Sequence, residues 1–241
     1  MTITLHQGDL PADLSLGDMV AVDTETLGLN LTRDRLCLVQ LSSGDGNAHL
    51  VQLARNGYDC PNLKQLFADT AVTKIFHYAR FDIGMIARHL GVLTEPVFCT
   101  KIASRLTRTY TDRHGLKDLC RDLIGVDISK QQQSSDWGAD SLSDAQLEYA
   151  ASDVLYLHAL KERLEVMLQR ENRVHLSEAC FRFVPARALL LLLIGGILYT
   201  VGVAFHLWRT LRYHNAIWHG FVLVASGCHF AAVVDAVAIS A

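Results

Sequence analysis

The chain has 241 residues, half of them hydrophobic, which suits one large domain or a medium domain with an apolar appendage. A formal net charge of −3 excludes polyanion binding by bulk charge, so any nucleic-acid contact has to come from a local patch or from metal ions. The six cysteines form no CxxC pair, and Met1 to Leu10 lacks the basic-then-apolar order of a signal peptide, which together point to a reducing cytoplasm rather than a disulfide scaffold.

Met19 to Asp23 is a short apolar run ending in a carboxylate and reads as a strand. Leu36–Leu41 and His49–Leu53 read as the next two strands, with Gly44-Asp45-Gly46 as the hairpin turn between them. Leu63–Phe67 is helical in pattern, Thr73–His77 is a strand, and Phe81–Leu90 is a helix after it. Val97-Phe98 is a short strand, followed by helices over about Thr100–Leu106 and Leu116–Ile124. Asp127–Asp140, with Gln131-Gln132-Gln133-Ser134-Ser135, reads as a polar loop. A long helix begins near Ser143, where Ser143 and Gln146 have capping-box spacing, and runs to about Arg170. Strands interleaved with helices predict an α/β domain with a mixed sheet. Composition breaks after residue 187: residues 188–241 carry only Arg209, Arg212 and Asp235 as formal charges.

Four acids stand out. Asp23 and Glu25 are i and i+2 on an extended chain, so both point to one side. Asp82 follows the strand ending at His77, and Asp153 lies in the late helix four residues after Tyr149, on the same helix face. Hard oxygen ligands of this kind suit Mg²⁺ or Mn²⁺. Two such ions about 4 Å apart clamp the attacking and leaving oxygens of an in-line phosphoryl displacement. A tyrosine beside them can orient the attacking water or help deprotonate it.

The order Asp-x-Glu, then Asp, then Tyr-x-x-x-Asp, each in its local context, resembles the ribonuclease D group of the DEDD exonucleases, in its tyrosine-bearing subclass. Val22-Asp-Thr-Glu-Thr26 with Gly28, Phe76-His-Tyr-Ala-Arg-Phe-Asp82 and Tyr149-Ala-Ala-Ser-Asp-Val154 are similar to the three motifs of that group, and His114–Asp118 and Ser135–Trp137 sit where it has similar stretches. The resemblance covers residues 1–187 and implies a ribonuclease H-like fold, a mixed sheet flanked by helices. It implies that Asp23, Glu25, Asp82 and Asp153 hold two Mg²⁺ or Mn²⁺ ions and that Tyr149 places the water. It implies a cytoplasmic 3′→5′ exonuclease releasing nucleoside 5′-monophosphates from single-stranded RNA or DNA, RNA favoured. The alternative is a non-catalytic module that holds a 3′ end without cutting it. Tyr78 departs from the Asn or His common in the group, and the helical domains that follow the exonuclease in full ribonuclease D proteins have no counterpart in residues 188–241.

Other residues carry two readings each. Thr24, Thr26 and Leu27 flank the acidic pair and either wrap the terminal nucleotide or pack the strand end. His77 either touches the scissile region or is a satisfied strand histidine. Lys101, Arg105 and Arg108 fall on one helix face, with Arg113, Lys117 and Arg121 following; they form either a phosphate-contacting patch or a solvated face. Trp137 either stacks on a base or anchors its loop to the core. Gln131–Gln133 are either nucleotide contacts or plain exposed loop.

The tail holds two uncharged stretches, Ala188–Phe205 and Ala216–Val234, each near the length of a membrane-crossing helix. The predicted spans are about 188–208 and 216–234, joined by a basic and aromatic connector, His206–Asn215. A hydrophobic helical pair buried in protein is the alternative. Ile194–Gly202, Tyr213–His219 and Cys228–Phe230 resemble the last two helices of the hemolysin III family. That family's zinc-binding His-x-x-x-His pair is incomplete here, with Asn215 at the first position and His219 at the second, and a zinc site is not expected. A hairpin would leave both ends cytoplasmic. Arg182 and Arg187 agree with that side, and Arg209 and Arg212 oppose it.

Overall fold

The computed structural model describes residues 2–129, 131–132, 134–182, 186–208 and 210–238, with backbone only at 186–189 and 233–238. Gln133, Arg209 and the side chain of Arg187 therefore lie outside the described residues. The chain divides into two compact units, Met1–Ser177 and Glu178–Ala241.

The first unit is built on one mixed sheet of β1 (Ile3–Gln7), β2 (Met19–Thr26), β3 (Leu36–Ser42), β4 (Ala48–Gln52), β5 (Thr73–Phe76) and β6 (Val97–Cys99), in the order β1-β4-β3-β2-β5-β6. β3 runs antiparallel to both β2 and β4; the remaining pairs are parallel. β3 is buried along its whole length, as a central strand with both faces covered should be. The β3–β4 hairpin turns through Gly44 and Gly46, both at φ +84°, a conformation that favours glycine.

The β2–β5 pairing ends at Ala21–Ile75, whereas β2 continues to Thr26 beside β3, with a register irregularity at Glu25/Thr26. Beyond Ala21, β2 therefore has no strand partner on its β5 side. This opening lies at the C-terminal end of parallel strands, where α/β sheets place ligands. Asp23 and Glu25 thus lie inside the strand rather than after it.

Helices cover the sheet. α1 (Pro61–Ala68) starts with Pro at its first position, and α2 (Arg80–Leu90) ends on Gly91 in the left-handed region. α3 (Thr100–Thr107) follows β6 directly; α4 (Leu116–Leu119) continues as a π-helical turn, Cys120–Ile124. The single helix expected over 143–170 is two: α5 (Asp144–Leu155) and α6 (Leu157–Arg170), broken at Tyr156. The capping box is formed: Ser143 Oγ accepts from the Gln146 backbone N–H, and the Gln146 side chain returns to the Ser143 N–H. α5 lies on β2, β3 and β4 through Ala150, Ala151 and Val154, small residues that permit close approach. α6 buries Leu157, Leu160, Leu164 and Leu168, one stripe at helical spacing, and packs against α3. β1 and α7 (Val174–Phe181) were not anticipated.

The second unit is an antiparallel pair, α8 (Ala186–Leu207) and α9 (His214–Ala238). The seam uses glycines as sockets: a methyl group at Gly195 would strike the His229 ring, and one at Gly202 would strike Phe221. Tyr199 and Ser226 share a hydrogen bond of 2.8 Å, and Phe205 stacks on Phe221. The opposite faces are apolar and exposed within the unit, including Leu190, Leu193, Ile197, Leu223 and Phe230. Among the described residues one window, Leu190–Leu207, is long and apolar enough to cross a membrane, with a mean hydropathy of 2.1.

Candidate active site

β2 and α5 bring three carboxylates together. Asp23 and Glu25 project from β2, Asp153 from α5, and ligand oxygens of the three lie within 4.8 Å of one another. Asp82, in the first turn of α2, is 4% exposed and is gripped by Thr24, whose hydroxyl donates to Asp82 Oδ1 at 2.6 Å. Tyr149 lies one turn before Asp153 on α5.

Packing four acids into one buried place has an electrostatic consequence. Burial, then the charges of Asp82, Asp153 and Glu25, push the Asp23 carboxyl well above the carboxylate range. Burial and the charges of Asp153 and Asp82 raise Glu25 to about 9. Burial raises Asp82 to about 7, opposed by the Thr24 hydrogen bond. Burial, then Asp153, Glu25 and Asp23, raise the Tyr149 phenol, so in the metal-free protein it keeps its proton at neutral pH. An all-oxygen, acidic set of this kind fits a hard divalent cation, whose charge would let every carboxyl ionise at once.

The acids open into a cleft of about 710 Å³. Thr24, Thr26, Leu27, His77, Lys101 and Trp137 all line it. Several of them also have partners within the protein. Thr24 spends its hydroxyl on Asp82, and Thr26 donates to the Gly28 carbonyl at 2.6 Å, closing the turn that presents Leu27 and Leu29. His77 Nδ1 is 2.9 Å from the Thr100 hydroxyl. Trp137 is 2% exposed and packs with Cys37, Leu38, Leu50 and Ala150, its ring 6.0 Å from that of Tyr149, so its place is that of a loop anchor. Arg105 is exposed and is not among the cleft's lining residues. Arg108, read as part of a surface patch, is instead 2% exposed and paired with Asp122 at 2.5 Å. Helical spacing put it on a face with Lys101 and Arg105, but Arg108 lies one residue past the end of α3, at φ −104° and ψ 57°, and its side chain turns in to Asp122.

Sequence reasoning passed over Tyr78 as a substrate contact. It stands at the cleft with φ +71°, unusual for a bulky residue, and the Lys101 ammonium lies 4.0 Å from its ring centroid. Its only signal in the sequence was the departure from the pattern around Asp82. Leu29, Phe81 and Lys117 also line the cleft.

Residues 9–169 match the family described as 3′–5′ exonuclease. The chain belongs to the 3′–5′ exonuclease family. It is 37% identical to ribonuclease D of Acidiphilium cryptum over 161 residues, which is 67% of this chain and 41% of that protein, so the chain spans about two-fifths of such a relative's length. It is 60% identical to the structure of Brucella melitensis NrnC, with a TM-score of 0.74, covering 76% of this chain and 89% of that one. Structures of that protein exist with bound Mg²⁺ (58% identity, TM-score 0.73) and bound to pGG (59% identity, TM-score 0.74). The fold is likewise that of Escherichia coli RNase D (TM-score 0.59), an RNase H-like mixed sheet flanked by helices.

The raised acids predict a pH dependence whose sign is fixed. A carboxyl raised on folding keeps a proton that the unfolded chain releases, so its stabilisation is full at low pH and is lost as pH rises through the folded value. With Asp82 at about 7 and Glu25 at about 9, melting temperature without metal should fall as pH is raised from about 7 to about 8. Buried Lys74, lowered to about 8, opposes this only above that window. Saturating Mg²⁺ should flatten the fall; a metal-free melting temperature independent of pH there would contradict the electrostatics described.

Proposed function

We propose that the chain removes nucleoside 5′-monophosphates one at a time from nucleic-acid 3′ ends, RNA favoured, in the tyrosine-bearing manner of its family. The observation that carries this is the convergence of Asp23, Glu25, Asp82 and Asp153 beside Tyr149 at the open edge of β2. The four carboxylates would hold two Mg²⁺ or Mn²⁺ ions, which when bound supply charge to the scissile phosphate and to both exchanging oxygens. Tyr149, still protonated, donates its phenolic hydrogen to orient the attacking water. Water oxygen joins phosphorus and the bond to the 3′-oxygen breaks. That oxygen leaves with a proton as the new 3′ end, and the nucleoside 5′-monophosphate departs.

The exposed Tyr78 ring offers a stacking face for a base, and Lys101 beside it a cation for a phosphate. Thr26 and Leu27 shape the wall against the terminal nucleotide, and His77 faces the same cleft. The pGG held by the Brucella protein supports short RNA ends as substrates here. A non-catalytic holding module is the less favoured reading, since all four acids and Tyr149 are present.

The exonuclease domain is taken as residues 1–187, on the cytoplasmic side. The tail, 188–241, is a membrane hairpin of the hemolysin III kind. The seam of Gly195 and Gly202 against His229 and Phe221 supports this: small residues join the helices while apolar side chains face outward, the arrangement lipid favours.

Incubated with 5′-labelled single-stranded RNA or the matching DNA, the purified chain should shorten the label from the 3′ end with Mg²⁺ or Mn²⁺ and not with EDTA. Asp23→Ala should lose about a hundredfold or more in rate, and Tyr149→Phe about a hundredfold. Retained 3′-end binding without cleavage under either metal would leave the holding module. Membranes from expressing cells, washed in alkaline carbonate, should keep the chain in the pellet; release to the supernatant would rule out the hairpin.

A further inference from the structure

β3 contains one residue that does not suit its place. Gln40 is 0% exposed, flanked along the strand by Val39 and Leu41, and neither Nε2 nor Oε1 of its amide has a hydrogen-bond partner among the described residues. A buried amide left this way is destabilising relative to a paired one, and an apolar side chain of the same size would carry no such penalty. Breaches of local rules like this concentrate at functional sites.

The strand register shows which site. Gln40 is directly opposite Asp23 on β2 and opposite Leu50 on β4. Directly opposed residues share a sheet face, with Cβ atoms about 4.5–5.5 Å apart. That face is the one under α5: Leu50, and Leu38 two residues from Gln40, both pack with Ala150. The row Asp23–Gln40–Leu50 thus runs from the acidic site into the core, with the orphaned amide between ligand and packing.

We propose that Gln40 is a positioning residue for the metal site, its amide N–H donating to the Asp23 carboxylate when that carboxylate holds a divalent ion. Donors behind a ligating carboxylate fix which of its oxygens faces the metal. The inference rests on the metal-site reading given above.

The test is Mn²⁺ binding, followed by the paramagnetic resonance of free Mn²⁺, with the full chain in detergent as wild type, Asp23→Asn, Gln40→Met and Gln40→Leu. Two apolar replacements are used so that a packing fault in one is not mistaken for the effect. Wild type should bind Mn²⁺ and Asp23→Asn should not. Both Gln40 variants should bind about 10- to 100-fold more weakly than wild type, while their metal-free melting temperatures equal or exceed that of wild type because two unmet polar atoms are gone. Unchanged Mn²⁺ affinity in either folded Gln40 variant overturns the role of Gln40 and leaves the metal site standing. No Mn²⁺ bound by wild type overturns the metal site, and the role of Gln40 with it.

Discussion

Mutual repulsion among four buried or half-buried carboxylates is the constraint around which the first unit is organised. No acid here would choose the company of the other three without a cation, and burial and neighbouring charge raise Asp23, Glu25 and Asp82. Three features hold them together against this. β2 continues past the end of its pairing with β5, which exposes one edge of the strand. α2 sets Asp82 there, fastened by the Thr24 hydroxyl. α5, with alanines against the sheet, comes close enough to bring Asp153 and Tyr149 over the same spot.

The chemistry was more legible in the sequence than the packing. Asp23 and Glu25 announce themselves because alternation along a strand is a local property, and Tyr149 and Asp153 because a helical turn is one too. Asp82 needed the resemblance, since nothing local says that α2 will meet the edge of β2. The break at Tyr156 and the π-helical turn after Leu119 are tertiary outcomes with no strong local signal. Arg108 misled because helical spacing was carried one residue past the end of α3, where the backbone is no longer helical, and its partner Asp122 lies on another element. Trp137 was open between two readings until its burial placed it in the core. Gln40 had a signal that went unused: a polar residue at the centre of an apolar strand.

The second unit follows different physics. Its helices are joined by glycine sockets, ring stacking and a hydroxyl pair, not by burial of its bulkiest aliphatic groups, which face outward. In water that arrangement leaves the driving force for folding unused; in lipid it is the expected one.

Two divalent ions held by the four carboxylates would relieve the repulsion among them. The most direct measurement is an anomalous-difference map from crystals of the chain grown with Mn²⁺ and a short RNA. Two peaks about 4 Å apart among Asp23, Glu25, Asp82 and Asp153 are the result expected. Peaks elsewhere, or none between β2 and α5, would contradict the account.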